Sequence, residues 1–427
     1  MLPRNSFHLK DEPANMPHTE NQKLNPFIIM TILVTTLGYF VDVYDIWVFA
    51  ASRVVALKEI GVSAEQQMDT GILLLNLQMV GMLIGGIVFG VAGDKLGRTK
   101  VMFISILTYS LATLANAFVT NVESFAVFRF FSGFGLSGEL GLGATLISEI
   151  LSKEKRGIGV GFMVALGVTG ALFAGVTAQM FDWRVCYMIG GAMGLVLLLF
   201  RMRIMESDIF KNLAHGAPKG NLMMLLNSRE RFLRFFWCLM LGLPTWFVLG
   251  ILMTFSQEIL PGAGLPIIAT AILMVYCNIA LPLGDFSSIM LCQFFKKRRI
   301  VAAIFVMISV VASLALLYLP RPLTELDVKL IYGAMAFGAG GWVLMTMISA
   351  ECFGTNMRAT VATAVPNFAR CSVVPMTMAL SALKNHMPLL DAVMIVGAAG
   401  FILPLIALTQ LPETFGKSLE YLEEDKA

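Results

Sequence analysis

Charge is scarce in this chain. Of its 427 residues only 14% are Asp, Glu, Lys or Arg, while 57% are hydrophobic; a soluble domain carries about one quarter charged. With a mean hydropathy of +0.78, there are too few polar residues to cover a surface in water. A soluble globular protein is therefore excluded. Histidine is rare, at four, and the six cysteines are dispersed with no CxxC or Cys/His cluster. Free buried thiols are expected, with no metal site and no cofactor. There is no phosphate-cradling loop of Walker type and no nucleophile–base arrangement, which argues against ATP-driven transport and against an enzyme. Residues 1–26 lack the short apolar core and small-residue cleavage site of a signal peptide and are expected to form a cytoplasmic tail. No nucleic-acid partner is expected.

What is present is a series of apolar runs, each near the ~20 residues that a spanning helix needs. Breaks at charge, Gly and Pro divide them into twelve spans: 27–55, 70–92, 100–119, 122–149, 157–180, 184–204, 232–258, 266–294, 299–319, 328–351, 359–383 and 389–411. The even-numbered connections are rich in Lys and Arg, as in Lys95, Arg98 and Lys100, or Lys296 to Arg299. The odd-numbered ones hold only Arg53, Lys58, Arg184, Arg321, Lys329 and Lys384. Cationic loops stay cytoplasmic, so both termini are expected inside a multi-pass chain in the plasma membrane, the inner membrane if bacterial. The long basic connection 205–231 divides a six-helix bundle over 27–204 from another over 232–411, with a second cytoplasmic tail at 412–427. The predicted fold is an all-α membrane protein of two pseudo-symmetric bundles.

The halves echo each other. "ISEILSKEKRG" (147–157) and "SAECFGTNMRA" (349–359) each place a Glu seven residues before an Arg, Glu149 with Arg156 and Glu351 with Arg358. Glycine-rich stretches, "GFGLSGELGLG" and "AFGAGGWVLM", precede both. Internal duplication of this kind is common in carriers whose ligand site lies near the midplane between repeats. Each Glu–Arg pair suits a gate that breaks when the halves rock, and equally a permanent interfacial ion pair.

"GVAGDKLGRTK" (90–100) resembles the cytoplasmic signature of the major facilitator superfamily, with Gly90, Asp94, Lys95, Gly97 and Arg98 at the matching positions. "RFFSGFGLSGELGLGATLISEILSKEKRG" (129–157) looks like that family's fourth-helix signature, and "LPETFGKSLE" (411–420) like the C-terminal signature of its sugar and organic-anion symporter branches. The resemblance implies a twelve-helix carrier, with Gly90, Asp94, Gly97, Arg98, Glu149, Arg156, Glu351 and Arg358 forming a cytoplasmic gate. The second copy of the loop signature, around 284–299, keeps its basic cluster but lacks the Asp–Gly turn. The fifth span lacks the Gly-Pro element that looks typical of drug–proton antiporters, which disfavours an exporter.

Several charges fall inside the spans. Asp42 lies roughly 22 Å from the inner boundary and Arg129 roughly 10 Å below the outer one, so their depths nearly coincide. A charge at mid-bilayer costs about 2.5–3.5 kcal/mol on insertion scales. Asp42 and Asp45 share a helical face and should look into a wet central hollow. One could pair with Arg129 while the other takes a proton; a structural Asp–Arg pair is the alternative. Glu139, mid-way along the fourth span, is a third proton-site candidate. In the second half Asp285, Asn278 and Arg370 lie near the midplane. Arg cannot shed its charge and binds carboxylate or phosphate with a bidentate fork, so Arg370 and Arg129 suit an anionic substrate. An Asp285–Arg370 pair that only locks helices is the competing reading. Tyr39, Tyr44, Trp47, Trp246 and Trp342 are candidate pocket aromatics, although a Trp can also anchor at the interface.

The sequence thus points to a monomeric secondary carrier in the lipid bilayer, coupling protons to uptake of a small anionic metabolite. A proton-driven exporter of a drug or siderophore-like compound, a uniporter and a non-transporting sensor are the rivals.

Overall fold

In hydrocarbon every backbone N–H and C=O must be paired internally, which long apolar runs achieve as helices. The structure, a computed structural model, describes residues 26–96, 98–151, 156–204, 225, 227–319 and 322–416, some side chains excepted. All its regular elements among the described residues are helical, and they form twelve spans.

The first six are α1 (Pro26–Glu59), α2 (Gln67–Leu96), α3 (Arg98–Asn116), α4 (Val122–Ile150), α5 (Arg156–Met180) and α6 (Trp183–Ile204). The second six are α7 (229–262, in pieces), α8 (Thr270–Phe295), α9 (Arg298–Tyr318), α10 (325–351, in two pieces), α11 (355–384, in two pieces) and α12 (Leu389–Gln410). Among the described residues nine helices are long and apolar enough to cross a membrane; α3, α4 and α11 stand outside that count. An even number of spans puts both chain ends on one face. "Proximal" below means toward that face and "distal" away from it.

Three spans that the sequence predicts as continuous are broken. The seventh runs as Arg229–Met240, Leu243–Trp246, a π-helical turn Phe247–Met253, and Ser256–Gly262. Pro244 sits at the start of the short second piece, where its missing N–H costs nothing. π-turns concentrate at functional sites, and this one adjoins Trp246. The tenth span breaks at Gly340–Gly341 and the eleventh at Ser372.

Glycine allows the tightest helix contacts. A Cβ on Gly133 of α4 would run into the Gln78 carbonyl of α2, and one on Gly81 of α2 into the Phe130 carbonyl of α4. Small residues at such crossings let backbones touch, which drives helix packing in lipid. α8 and α10 repeat the device, with Gly284 against the Phe337 carbonyl. Gly90 is different: a side chain there would meet nothing within 4 Å, so close helix approach does not explain it.

The halves meet through α5 with α8, α2 with α11, and α1 with α8. Among the described residues their polar contacts run from mid-span to the distal end. Arg370 donates to the Tyr39 hydroxyl at 3.2 Å, Cys371 to the Met79 carbonyl, and Thr377 to Asn76 at 2.7 Å. Lys384 pairs with Asp69 at 2.6 Å. Farthest out, Arg53 of α1 grips Glu258 of α7 with two bonds of 2.7 Å. The distal end is closed.

Candidate functional site

The two α1 carboxylates have different surroundings, although both are buried. Asp45 accepts from Thr113 of α3 at 2.6 Å and from Ser132 of α4. Asp42 Oδ1 has no hydrogen-bond partner among the described residues. Neither acid forms an ion pair with Arg129, contrary to the pairing expected from their equal depths. Arg129 donates instead to Gln78 of α2 and lies over the Phe49 ring, 4.4 Å from its centroid. A cation over an aromatic face gains from the ring quadrupole, and the hydroxyls of Thr113 and Ser132 satisfy the acid that Arg129 leaves.

Glu139 does have a cation. Arg201 of α6 donates to it at 2.7 Å, with side-chain exposures of 0% and 3%. Arg201 lies inside the predicted sixth span, 184–204, and a cation in an apolar run was the available signal for this partner. The second oxygen of Glu139 and Nη2 of Arg201 remain unpartnered among the described residues. Gly38 explains how they fit: a Cβ there would lie 2.7 Å from Glu139 Oε2 and 3.6 Å from Arg201 Nη2. Asp42 is one turn farther along the same face.

In the second half Asp285 and Arg370 are not joined, so the locking pair is absent. Asp285 accepts from the backbone N–H of Val343 at 3.1 Å. This satisfies one of the free donors that open the second piece of α10. Arg370, buried on α11, reaches across the halves to Tyr39. Asn278 donates to the Met274 carbonyl one turn back, at 2.8 Å. Trp246 stacks on Trp47 with centroids 5.9 Å apart and planes at 8°, and meets Trp342 edge-on at 6.4 Å. Its indole N–H is buried without a partner among the described residues. Gly242 and Gly250, which flank Trp246, pack on Ala369 and Val373, so Trp246 is level with Arg370. Tyr44 is apart from this group: its hydroxyl donates to the Cys186 carbonyl within the first half.

At the proximal end the predicted gate is only partly described. Gly97 and the side chains of Asp94, Arg98, Glu149, Arg156 and Arg358 lie outside the described residues. Glu351 accepts at 2.6 Å from Arg298 of α9, a partner that the sequence repeat does not suggest. Glu413, beyond α12, accepts the backbone N–H groups of Arg298 and Arg299 at 2.9 and 3.3 Å. Partial burial pushes its carboxyl up, but these bonds and those from Phe415 and Thr414 outweigh it and hold the group below the usual carboxylate range. The "PET" of residues 412–414 thus ties the end of α12 to the start of α9.

The chain is 28% identical over 199 residues to the benzoate transport protein of Acinetobacter baylyi, covering 44% of this chain and 42% of that one. It is 28% identical over 192 residues to the niacin transporter of the same organism, covering 44% and 43%. The chain therefore spans less than half the length of these curated relatives. A partially occluded, inward-open structure of the Escherichia coli xylose transporter superposes with a TM-score of 0.69 at 18% identity, over 92% of this chain and all of that one; this likeness concerns the fold. A family model described as Major Facilitator Superfamily matches residues 35–377, and the chain belongs to that superfamily.

Proposed function

We propose that this chain is a proton-coupled carrier that takes up a small organic anion by alternating access between bundles 27–204 and 232–411, as a monomer with both termini in the cytoplasm. The observation that carries the anion reading is Arg370, a permanent cation buried at the junction of the halves whose only hydrogen-bond partner among the described residues is the neutral Tyr39 hydroxyl. A guanidinium so placed has donors to spare for a carboxylate, and Trp246, level with it and stacked on Trp47, offers an aromatic surface. The names of the two Acinetobacter relatives fit that class, since benzoate and niacin are both flat ring acids.

Among the proton candidates we assign the coupling role to Asp42. Asp45 is held by two hydroxyls and Glu139 by Arg201, whereas an oxygen of Asp42 is unclaimed. The proximal, cytoplasmic side would be the open one in this structure.

The test is uptake into proteoliposomes under an imposed pH gradient, with benzoate, nicotinate and phosphate as probes. Wild type is expected to accumulate at least one ring acid. Arg370→Gln should weaken its apparent affinity about 30-fold or more, since removing one side of a buried charged contact costs about 2–5 kcal/mol. Asp42→Asn should still exchange substrate but lose pH-driven accumulation. Unchanged affinity in Arg370→Gln would refute the anion site, and undiminished accumulation in Asp42→Asn would move the coupling elsewhere.

A further inference from the structure

The interior of the first bundle contains polar atoms that its own side chains leave unsatisfied. Among the described residues, Asp42 Oδ1, Tyr109 Oη, Glu139 Oε2 and Arg201 Nη2 are all buried and have no hydrogen-bond partner. Buried polar groups are nearly always paired, with protein or with water, so these four need an explanation.

They lie in register along one face of α4. Ser132 bonds to Asp45, Gly135 lies under Tyr109, and Glu139 bonds to Arg201. From Ser132 to Glu139 this face covers roughly 10 Å at 1.5 Å per residue. α1 and α3 run in the same direction. Thr113 of α3 donates to Asp45 of α1, which fixes their relative height. Tyr109 is one turn proximal to Thr113 on the same face, and Asp42 nearly one turn proximal to Asp45. The ring of Tyr109 is clamped between α4 and α6: its backbone lies against Gly135 and its Cε2 would be 3.1 Å from a Cβ on Gly194. Tyr109 therefore stands one turn from the Thr113–Asp45 bond and, across Gly135, one turn of α4 from Glu139. It is thus the neutral group between the two acid sites.

We infer that Tyr109 is the relay of a water-bridged proton path inside the first bundle, running from Asp45 to Asp42 and the Glu139–Arg201 pair. The inference rests on the proton coupling proposed above. In the step, Asp45 holds a proton only transiently, as the Thr113 hydroxyl turns from donor to acceptor, and that proton passes through bridging water to the phenol oxygen, forming an O–H bond. The phenol's original O–H bond breaks as its proton moves on to Asp42. The hydroxyl then rotates back, and no net charge stays on Tyr109. Buried water with two to four polar partners is a normal structural component, and the four unsatisfied atoms supply such partners. Tyr109 does not touch the substrate site, so it acts as a positioning and relay residue.

The experiment uses the full chain in proteoliposomes with benzoate and nicotinate as probes. Tyr109→Phe keeps the ring between Gly135 and Gly194 and removes only the hydroxyl. It is expected to slow pH-driven accumulation at least tenfold while leaving substrate exchange, in which no proton need be released, within twofold of wild type. Accumulation equal to wild type overturns the relay and leaves the proposed function standing. Loss of exchange as well as accumulation shows a structural or substrate role for Tyr109, and also overturns it. A wild-type protein that exchanges a probe yet never accumulates it under a pH gradient, or that moves neither probe, overturns the proposed function and the relay together.

Discussion

Glu139→Gln should destabilise the folded protein by about 3–5 kcal/mol, the usual loss when one member of a buried ion pair is removed. The amide is nearly the same shape as the carboxylate, so packing is preserved and only the charge goes. Arg201, 3% exposed, is then a buried cation that has lost its bonded counter-ion, and its guanidinium cannot shed its proton. Thermal unfolding in detergent should show a large fall in midpoint for the single variant. The double variant Glu139→Met, Arg201→Met should recover most of it, because replacing a whole buried pair by apolar side chains of similar volume is often neutral or stabilising. Equal midpoints for wild type and Glu139→Gln would mean that the pair is not holding α4 to α6. A double variant no better than the single would point to lost packing by the arginine stem.

Glu258→Gln should open the distal end. Arg53 is fully buried and has two 2.7 Å bonds to Glu258, a third at 3.1 Å to the Thr254 carbonyl, and the Phe255 ring 4.7 Å from its guanidinium carbon. Glu258 is the anion that balances it, and the pair joins α1 to α7 across the two halves. Without that carboxylate the closed state contains an uncompensated cation, at a cost of about 3–5 kcal/mol. A distal-open state would return Arg53 to water and avoid this cost. The equilibrium should therefore move by roughly two to three and a half powers of ten toward the open state, at 1.4 kcal/mol per tenfold. The other distal bridge, Lys384–Asp69, is half-exposed on its acid and contributes little.

Cys371 reports this change. It lies at the junction of the halves, bonded to the Met79 carbonyl, whereas the other five cysteines are buried. With those five changed to Ser, an impermeant thiol reagent on the distal side should leave wild type unlabelled and label Glu258→Gln. If labelling is the same in both, the Arg53–Glu258 pair is not what keeps that end shut.

Much of the architecture was legible in the linear pattern. The span limits agree with the helices to within a few residues at most ends, because a hydrophobic run of helical length has one solution in lipid. The breaks in the seventh, tenth and eleventh spans were not legible in the hydropathy pattern. Pro244 and Gly340–Gly341 mark the places, but a π-turn depends on how Trp246 and Phe247 pack against α11 and α12. Asp42, Asp45, Glu139, Arg129 and Arg370 stood out as charges in apolar runs, yet their partners did not. Arg129 was matched to an acid by depth and bonds to Gln78. Glu351 bonds to Arg298, a partner that the repeat does not suggest, while the side chain of Arg358 lies outside the described residues.

The sequence by itself therefore determined the solvent of this protein, its helical class, its twelve spans and its short roll of intramembrane charges. These follow from hydropathy and helical rise, which are local along the chain. The tertiary structure alone decided which charge meets which, as in Arg201 with Glu139, Arg53 with Glu258 and Arg370 with Tyr39, and which end of the molecule is shut. Those pairings join residues far apart in sequence, and they form only where glycine-lined crossings bring particular helices to one height and turn particular faces toward each other.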